Sequence, residues 1–343
     1  MAYISFQPQD YFNTKLYTGN GSTQSITGVG FQPDWVWTKE RSGVCDHHIF
    51  DVLRGATYKI NSASTESSSA DANTLTSFDS DGFTLGADST DSYNKNSNNY
   101  VSWNWKANGQ GSSNTDGSIT STVSASTTSG FSIVKYTGTG ANATIGHGLG
   151  VAPKIVLVKD LSASASWRMY TEMTGNESQL ALDQDSAADS GNTTMWNSTS
   201  PTTTTFSIGT HGNVNTSSNN YIAYCFSQKS GFSSMGSYVG NGSTDGSFIY
   251  TSMKPAFILI KRSASTAAPW CIFDNKRDGY NPNKLLLANN TNVESSPNFD
   301  IVSNGFKTRT ADGEWNASGS TYIYMAFSEE SIVSSNGVPA TAR

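Results

Sequence analysis

Apolar residues in this chain come in runs of four to eight, cut by Gly, Pro, Asn and Asp, rather than at the three-and-four spacing of an amphipathic helix. The strongest runs are WVWTKE from Trp35, IVLVKD from Ile155 and FILIKR from Phe257. Aligned, Trp35, Ile155 and Phe257 share one side with Trp37, Leu157 and Leu259. Val36, Val156 and Ile258 share the other with Thr38, Val158 and Ile260. Both sides are apolar, which predicts strands covered on both faces. A second set, NYVSWNW, NYIAYCF and TYIYMAF, alternates more clearly. Trp103, Tyr224 and Met325 lie with Trp105, Phe226 and Phe327 on one face, opposite Asn104, Cys225 and Ala326. The small face predicts close approach of another layer.

These runs recur in register. Pro33, Pro153 and Pro255 each precede a lysine by six residues (Lys39, Lys159 and Lys261), and each is followed 67 or 68 residues later by a closing tyrosine, Tyr100, Tyr221 or Tyr322. Between them fall DGFTLG, TTFSIG and NGFKTR, centred on Phe83, Phe206 and Phe306. Constant spacing at several landmarks is the signature of an internal repeat. The expectation is an all-β protein of three tandem β-sandwich repeats of about 100 residues each, jelly-roll-like or lectin-like. The units run 11–107, 130–228 and 231–330. Residues 1–10 form an N-terminal arm and 331–343 a C-terminal tail. The stretch 108–129, rich in Ser, Thr and Gly, reads as an extended or flexible linker that sets unit 1 apart, while units 2 and 3 are closely coupled.

Composition narrows the class. Of 343 residues, 152 are Ser, Thr, Asn or Gly, which suits turns and strands and leaves no block for a helical bundle. The formal charge of −6, with no long basic run, argues against nucleic acid. No apolar stretch reaches the length of a membrane span. The first ten residues carry no secretory pattern. Cys45, Cys225 and Cys271, an odd number without metal spacing, read as buried apolar residues of a protein made in a reducing cytoplasm.

Candidate chemistry is thin. His47 and His48 occur in unit 1 alone and read as one inward and one surface residue. His147 and His211 read as loop residues. Asp51 and Asp274 each precede an arginine by three residues (Arg54, Arg277), and unit 2 has Thr171 and Thr174 there; such a pair reads as a turn clamp rather than an acid/base pair. The acidic turns around Asp79, Asp81, Asp88 and Asp183 do not follow a calcium-loop pattern and read as solvated. No catalytic, metal or cofactor residue is expected. Aromatics outside the shared pattern, Trp196, Trp315, Tyr93 and Tyr280, sit in polar loops and are the candidates for stacking on sugar rings. Tyr3, Ile4, Phe6, Tyr11 and Phe12 are the candidates for an N-terminal anchor.

The phrases FQPQDYFNTKLYTGNGSTQSITGVGFQPDWVWTKERS, NTDGSITSTVSASTTSGFSIVKYTGTGANATIGHGLGVAPKIVLVK and SNGVPATAR resemble virion structural proteins of marine tailed bacteriophages, of tail-fibre or capsid-decoration type. The resemblance implies a non-enzymatic external virion component, assembled in the host cytoplasm with other virion proteins, as a homo-oligomer with a trimer favoured. It brings no catalytic residues with it. Together with the aromatic loops it suggests contact with a host-surface glycan. The alternatives are a lectin-like carbohydrate-binding module and, behind it, a polysaccharide depolymerase.

Overall fold

The computed structural model describes residues 6–88, 92–264, 266–281 and 283–330. The chain is all-β. Among the described residues the only helical pieces are a single turn at Pro8–Asp10 and another at Gly212–Asn215.

Each unit has one large antiparallel sheet with a shared order. An opening strand (Phe12–Thr18, Phe131–Thr137 or Ser233–Val239) pairs with the closing strand (Asn99–Trp105, Asn220–Phe226 or Thr321–Phe327). The closing strand pairs on its other side with the strand after the repeated proline (Trp35–Glu40, Ile155–Asp160 or Phe257–Arg262). The next strand follows at His47–Asp51, Arg168–Thr171 or Trp270–Asp274. Register repeats as well: Trp105 faces Trp35, Phe226 faces Ile155 and Phe327 faces Phe257. A smaller sheet covers one face: Gln24–Thr27, Gly82–Leu85 and Leu75–Asp79 in unit 1, Ala143–Gly146 with Thr205–Ile208 in unit 2, and Phe248–Tyr250, Gly305–Thr308 and Phe299–Val302 in unit 3. The repeated Gly of DGF and NGF is required by packing. A Cβ on Gly82 or Gly305 would strike the carbonyl of Ile26 or Ile249 on the neighbouring strand.

Each large sheet therefore has two faces and two partners. Toward the small sheet it presents Val36, Val156 or Ile258, and each unit closes its own core there. The opposite faces of all three large sheets meet in one common core. Trp35, Trp37, Trp103 and Trp105 of unit 1 pack with Leu157, Tyr224 and Phe226 of unit 2 and Phe257, Met325 and Phe327 of unit 3. Trp35 lies 4.8 Å from Tyr224 and Trp105 lies 5.3 Å from Phe257, centroid to centroid. Burial of this aromatic surface, at about 25 cal/mol per Å² of apolar area, is what joins the units.

The joints repeat around a ring. Ser68 N–H donates to the Leu161 carbonyl, Ala188 N–H to Ser263 and Glu294 N–H to Arg41, each at 3.2 Å. Ala165, Ala268 and Cys45 donate to Thr65, Asp185 and Thr291 at 2.8, 2.9 and 3.0 Å. Unit 1 thus meets unit 2, unit 2 meets unit 3, and unit 3 returns to unit 1. The expectation that unit 1 stands apart is corrected by this closure.

The segment 108–129 is also corrected. Ser112–Asn114 and Ser121–Ser126 are strands that widen the large sheet of unit 2, and Ile119 bridges to Ile145 on its small sheet. Ile119 and Val123, the two apolar positions in a β-compatible Ser/Thr stretch, are buried there. The described part of the N-terminal segment, from Phe6 on, packs on the ring. Phe12 is fully buried in the common core and packs 5.7 Å from Phe327, while Phe6 and Tyr11 lie against the same core, Phe6 at 5.4 Å from Phe232. The anchor assignment of Phe6, Tyr11 and Phe12 is therefore withdrawn; Tyr3 and Ile4 lie outside the described residues.

Candidate functional site

Most of the residues marked for chemistry are used to hold the ring. Asp51 accepts from the backbone N–H of Leu53 and Arg54 at 3.0 and 2.9 Å and pairs with Arg54 Nε at 2.5 Å, a turn clamp. The same carboxylate accepts from Tyr224 Oη of unit 2 at 2.7 Å. Asp274 builds the same clamp with Arg277 and accepts from Trp103 Nε1 of unit 1 at 3.1 Å. At the joint of units 2 and 3 the donor position is Met325 and the acceptor position is Thr171, so donor and acceptor are absent together. A buried clamp left with one partner missing would be costly, and the sequence changes both sides at once.

A second bond crosses at the start of the neighbouring strand. Trp167 Nε1 donates to the Asn61 carbonyl and Trp270 Nε1 to Ala181, both at 2.8 Å. His47 fills the corresponding place at the joint of units 3 and 1. Its Nδ1 accepts from Trp37 Nε1 at 2.9 Å, and its other nitrogen faces the Leu287 carbonyl without closing a full hydrogen bond. His48 is buried too, on the opposite face, 4.4 Å from the Tyr93 ring. The reading of one inward and one surface histidine is corrected, because this strand has a core on each side. Burial pushes His47 well below the ordinary histidine range and His48 to about 3, so both are neutral at pH 7. His147 is likewise buried, and His211 caps the turn at Gly212–Asn215 through Nδ1. Lys39, Lys159 and Lys261 are buried, and each ammonium donates to main-chain carbonyls. Lys159 reaches Thr65 of unit 1 at 3.2 Å, and Lys261 reaches Asp185 of unit 2 at 2.8 Å. Burial lowers all three to about 8. The carboxylates of the acidic turns are bonded to nearby N–H and O–H groups: Asp81 holds the N–H groups of Gly28 and Gly30. Among the described residues no cluster of three or more metal-ligating side chains forms.

Three of the four proposed sugar-stacking aromatics are core residues. Trp196 is buried with Nε1 donating to the Ser178 carbonyl at 3.0 Å. Tyr93 and Trp315 occupy equivalent places under the small sheets, where their carbonyls accept from Tyr17 Oη and Tyr238 Oη at 2.9 and 2.7 Å. Their loops fold back under the units, so these rings cannot meet a ligand. A signal for this was present in the sequence. Asn94, Asn215 and Asn316 stand six residues before the closing tyrosines and follow Tyr93, Val214 and Trp315 directly. Each buried amide donates to two loop carbonyls, and each closing tyrosine accepts the N–H of the residue after the Asn, at 2.9, 2.7 and 2.8 Å.

Tyr280 is the exception, at 78% exposed. It directly precedes Asn281, which with Thr244, Asn298, Asp300 and Arg309 lines a pocket of about 520 Å³. Strand alternation builds the pocket. Phe299 and Ile301 point into the core of unit 3, so Asp300 points out, and Arg309 follows the partner strand to lie 3.5 Å from it. Asn281 is fixed by a reciprocal pair with the backbone of Ile301, both bonds 2.9 Å. Ser77 stands at the place of Asp300 in unit 1, and unit 2 lacks this hairpin strand, so the pocket is particular to unit 3. Amide, carboxylate and guanidinium groups in an open pocket are the donor and acceptor set that sugar hydroxyls use.

Fold and site together define an all-β ring of three sheet units with a polar pocket on the third. The chain belongs to the family described as a domain of unknown function, DUF7483, whose model matches residues 7–331. That match encloses all three units, so the family is defined on the whole ring. No curated protein matches the chain.

Proposed function

We propose that the chain is a non-enzymatic structural protein displayed on the outside of a tailed-phage-type particle, and that the unit 3 pocket contacts a glycan of the host surface. The observation that carries the glycan reading is the unit 3 pocket. There fixed amide, carboxylate and guanidinium groups line an open pocket, and the residue before Asn281 is an exposed tyrosine. The particle reading rests on the phrase resemblance and is supported by the architecture. Three sheets locked around one core, with a surface of hydroxyls and amides, suit a rigid external part that works by contact. Assembly with other particle proteins, as a homotrimer, belongs to the same proposal and is checked by solution mass, which would be three times 36.6 kDa.

The test has two arms. Labelling of intact particles with an antibody to this chain should place it on the exterior; absence from purified particles overturns the particle reading. Titration with host polysaccharide should show binding that Tyr280→Ala and Asp300→Ala each weaken about tenfold with the fold unchanged. Equal binding by both variants overturns the glycan site. Release of reducing ends from the polysaccharide would replace the proposal with a depolymerase.

A further inference from the structure

The three joints are geometrically equivalent but differ in charge. At the joint of units 3 and 1, the Glu294 carboxylate sits between two arginines. Arg41 Nε and one of its terminal nitrogens each approach it at 2.9 Å, and Arg277 Nη1 lies 3.8 Å away. The residue equivalent to Glu294 is fixed at every joint by the same 3.2 Å backbone bond: it is Ala188 between units 2 and 3 and Ser68 between units 1 and 2. The position of Arg277 is held by Thr174 and Arg54, and that of Arg41 by Ser263 and Leu161. The joint of units 2 and 3 is thus neutral at all three positions. The joint of units 1 and 2 keeps the buried arginine, clamped by Asp51 as Arg277 is by Asp274, and has lost the second carboxylate that Glu294 supplies.

An open groove of about 280 Å³ lies there, where Arg54, Tyr58 and Ser68 of unit 1 face Lys135, Ser162 and Asn220 of unit 2. None of its lining residues is acidic. Lys135 supplies a second cation in place of Arg41, whose position Leu161 holds. Ser68 Oγ is enclosed and has no hydrogen-bond partner. The Tyr58 side of the groove is open, with that residue 45% exposed.

We propose that this groove binds the carboxylate of an acidic sugar, which takes the place that Glu294 fills in cis at the joint of units 3 and 1. Lys135 holds the carboxylate as a charge-assisted donor, and Arg54, already paired with Asp51, stands to it as Arg277 stands to Glu294. Ser68 Oγ gains its missing partner, and the sugar ring lies against exposed Tyr58. This site is separate from the unit 3 pocket and requires no acid there.

The test is calorimetric titration of the full chain with glucuronate, with glucose and acetate as controls. Glucuronate should bind at one site, with both controls at least tenfold weaker. Ser68→Glu places a carboxylate where Glu294 has one, and should abolish glucuronate binding while leaving thermal stability equal or higher. Lys135→Gln should weaken binding about tenfold. Glu294→Ser frees Arg41 and opens the place beside Arg277, which stays clamped by Asp274, and should raise the stoichiometry from one to two. Undiminished binding by folded Ser68→Glu overturns the proposal, as does binding of glucose equal to glucuronate. Acetate binding as tightly as glucuronate overturns the assignment to a sugar acid.

Discussion

Tyr224→Phe tests the bond that joins unit 2 to unit 1. The ring of Tyr224 stays in the common core, and only the hydroxyl that donates to Asp51 at 2.7 Å is removed. Donor and acceptor are both 0% exposed, so no water replaces the bond. A buried hydrogen bond to a charged acceptor contributes about 1.5–3 kcal/mol, and Asp51 retains its bonds to Arg54, Leu53 N–H and Arg54 N–H, so the expected loss is about 2 kcal/mol. With an unfolding entropy of about 2.1 cal/mol/K per residue, that lowers Tm by about 3 °C. Asp51→Thr alone strands the buried Arg54 charge and should cost about 3–5 kcal/mol. The triple change Asp51→Thr, Arg54→Thr, Tyr224→Met copies the joint that Thr171, Thr174 and Met325 already form, and should lose less than Asp51→Thr alone. The assay is guanidinium unfolding followed by tryptophan fluorescence and far-ultraviolet circular dichroism. A Tyr224→Phe loss under about 0.5 kcal/mol would refute the cross-unit clamp. So would a triple variant less stable than Asp51→Thr.

Other outcomes follow from the same geometry. Trp196→Ala and Trp315→Ala should each cost about 3–5 kcal/mol, while Tyr280→Ala should change stability by under about 0.5 kcal/mol; thermal unfolding separates the two classes. In alkali, the buried lysines lose protons near pH 8 in the folded chain and near 10.5 in the unfolded one. The unfolded chain then binds more protons, so stability rises from pH 8 to 9, until ionisation of the thiols in the unfolded chain opposes it. Lys159→Met should reduce that slope in denaturant midpoints measured across the range. In acid, burial holds His48 neutral down to about pH 3 while unfolded histidine takes a proton near 6.5. Stability should fall as pH drops below 6.5, and His48→Phe should flatten part of that fall. Deletion of residues 1–14 should destabilise the whole ring by removing Phe12 and the Thr14 N–H bond to Glu329, so a particle-incorporation assay requires a deletion ending at residue 5.

The strands were legible because alternation and turn residues are local. The equivalence of Trp35, Ile155 and Phe257 was legible because the repeat preserves spacing. The closure was not. A strand apolar on both faces announces that two layers cover it, but does not say that the second layer belongs to another unit. The clearest hint was the paired loss of Asp–Arg and of the aromatic donor at Thr171 and Met325, which acquires meaning only when the joints are seen. Tyr93 and Trp315 were misread because unequal side chains fill one structural place, while the invariant Asn beside them marks it. Residues 108–129 were misread because Ser and Thr serve an edge strand as well as a coil, and only the burial of Ile119 and Val123 separates the two. Tyr280 was legible as a loop aromatic, but the pocket near it in sequence depends on Asp300 and Arg309, where the matching hairpin of unit 1 has Ser77 and unit 2 has no such strand.

The claim on which the rest depends is that three sheet units close on one shared core. Small-angle X-ray scattering from the single-chain species reads this directly. A closed body of this length has a radius of gyration of about 20 Å, whereas three units of about 13 Å each strung in a row would give about 28 Å or more. The closed ring predicts the smaller value, and a measured radius near the larger one would contradict it.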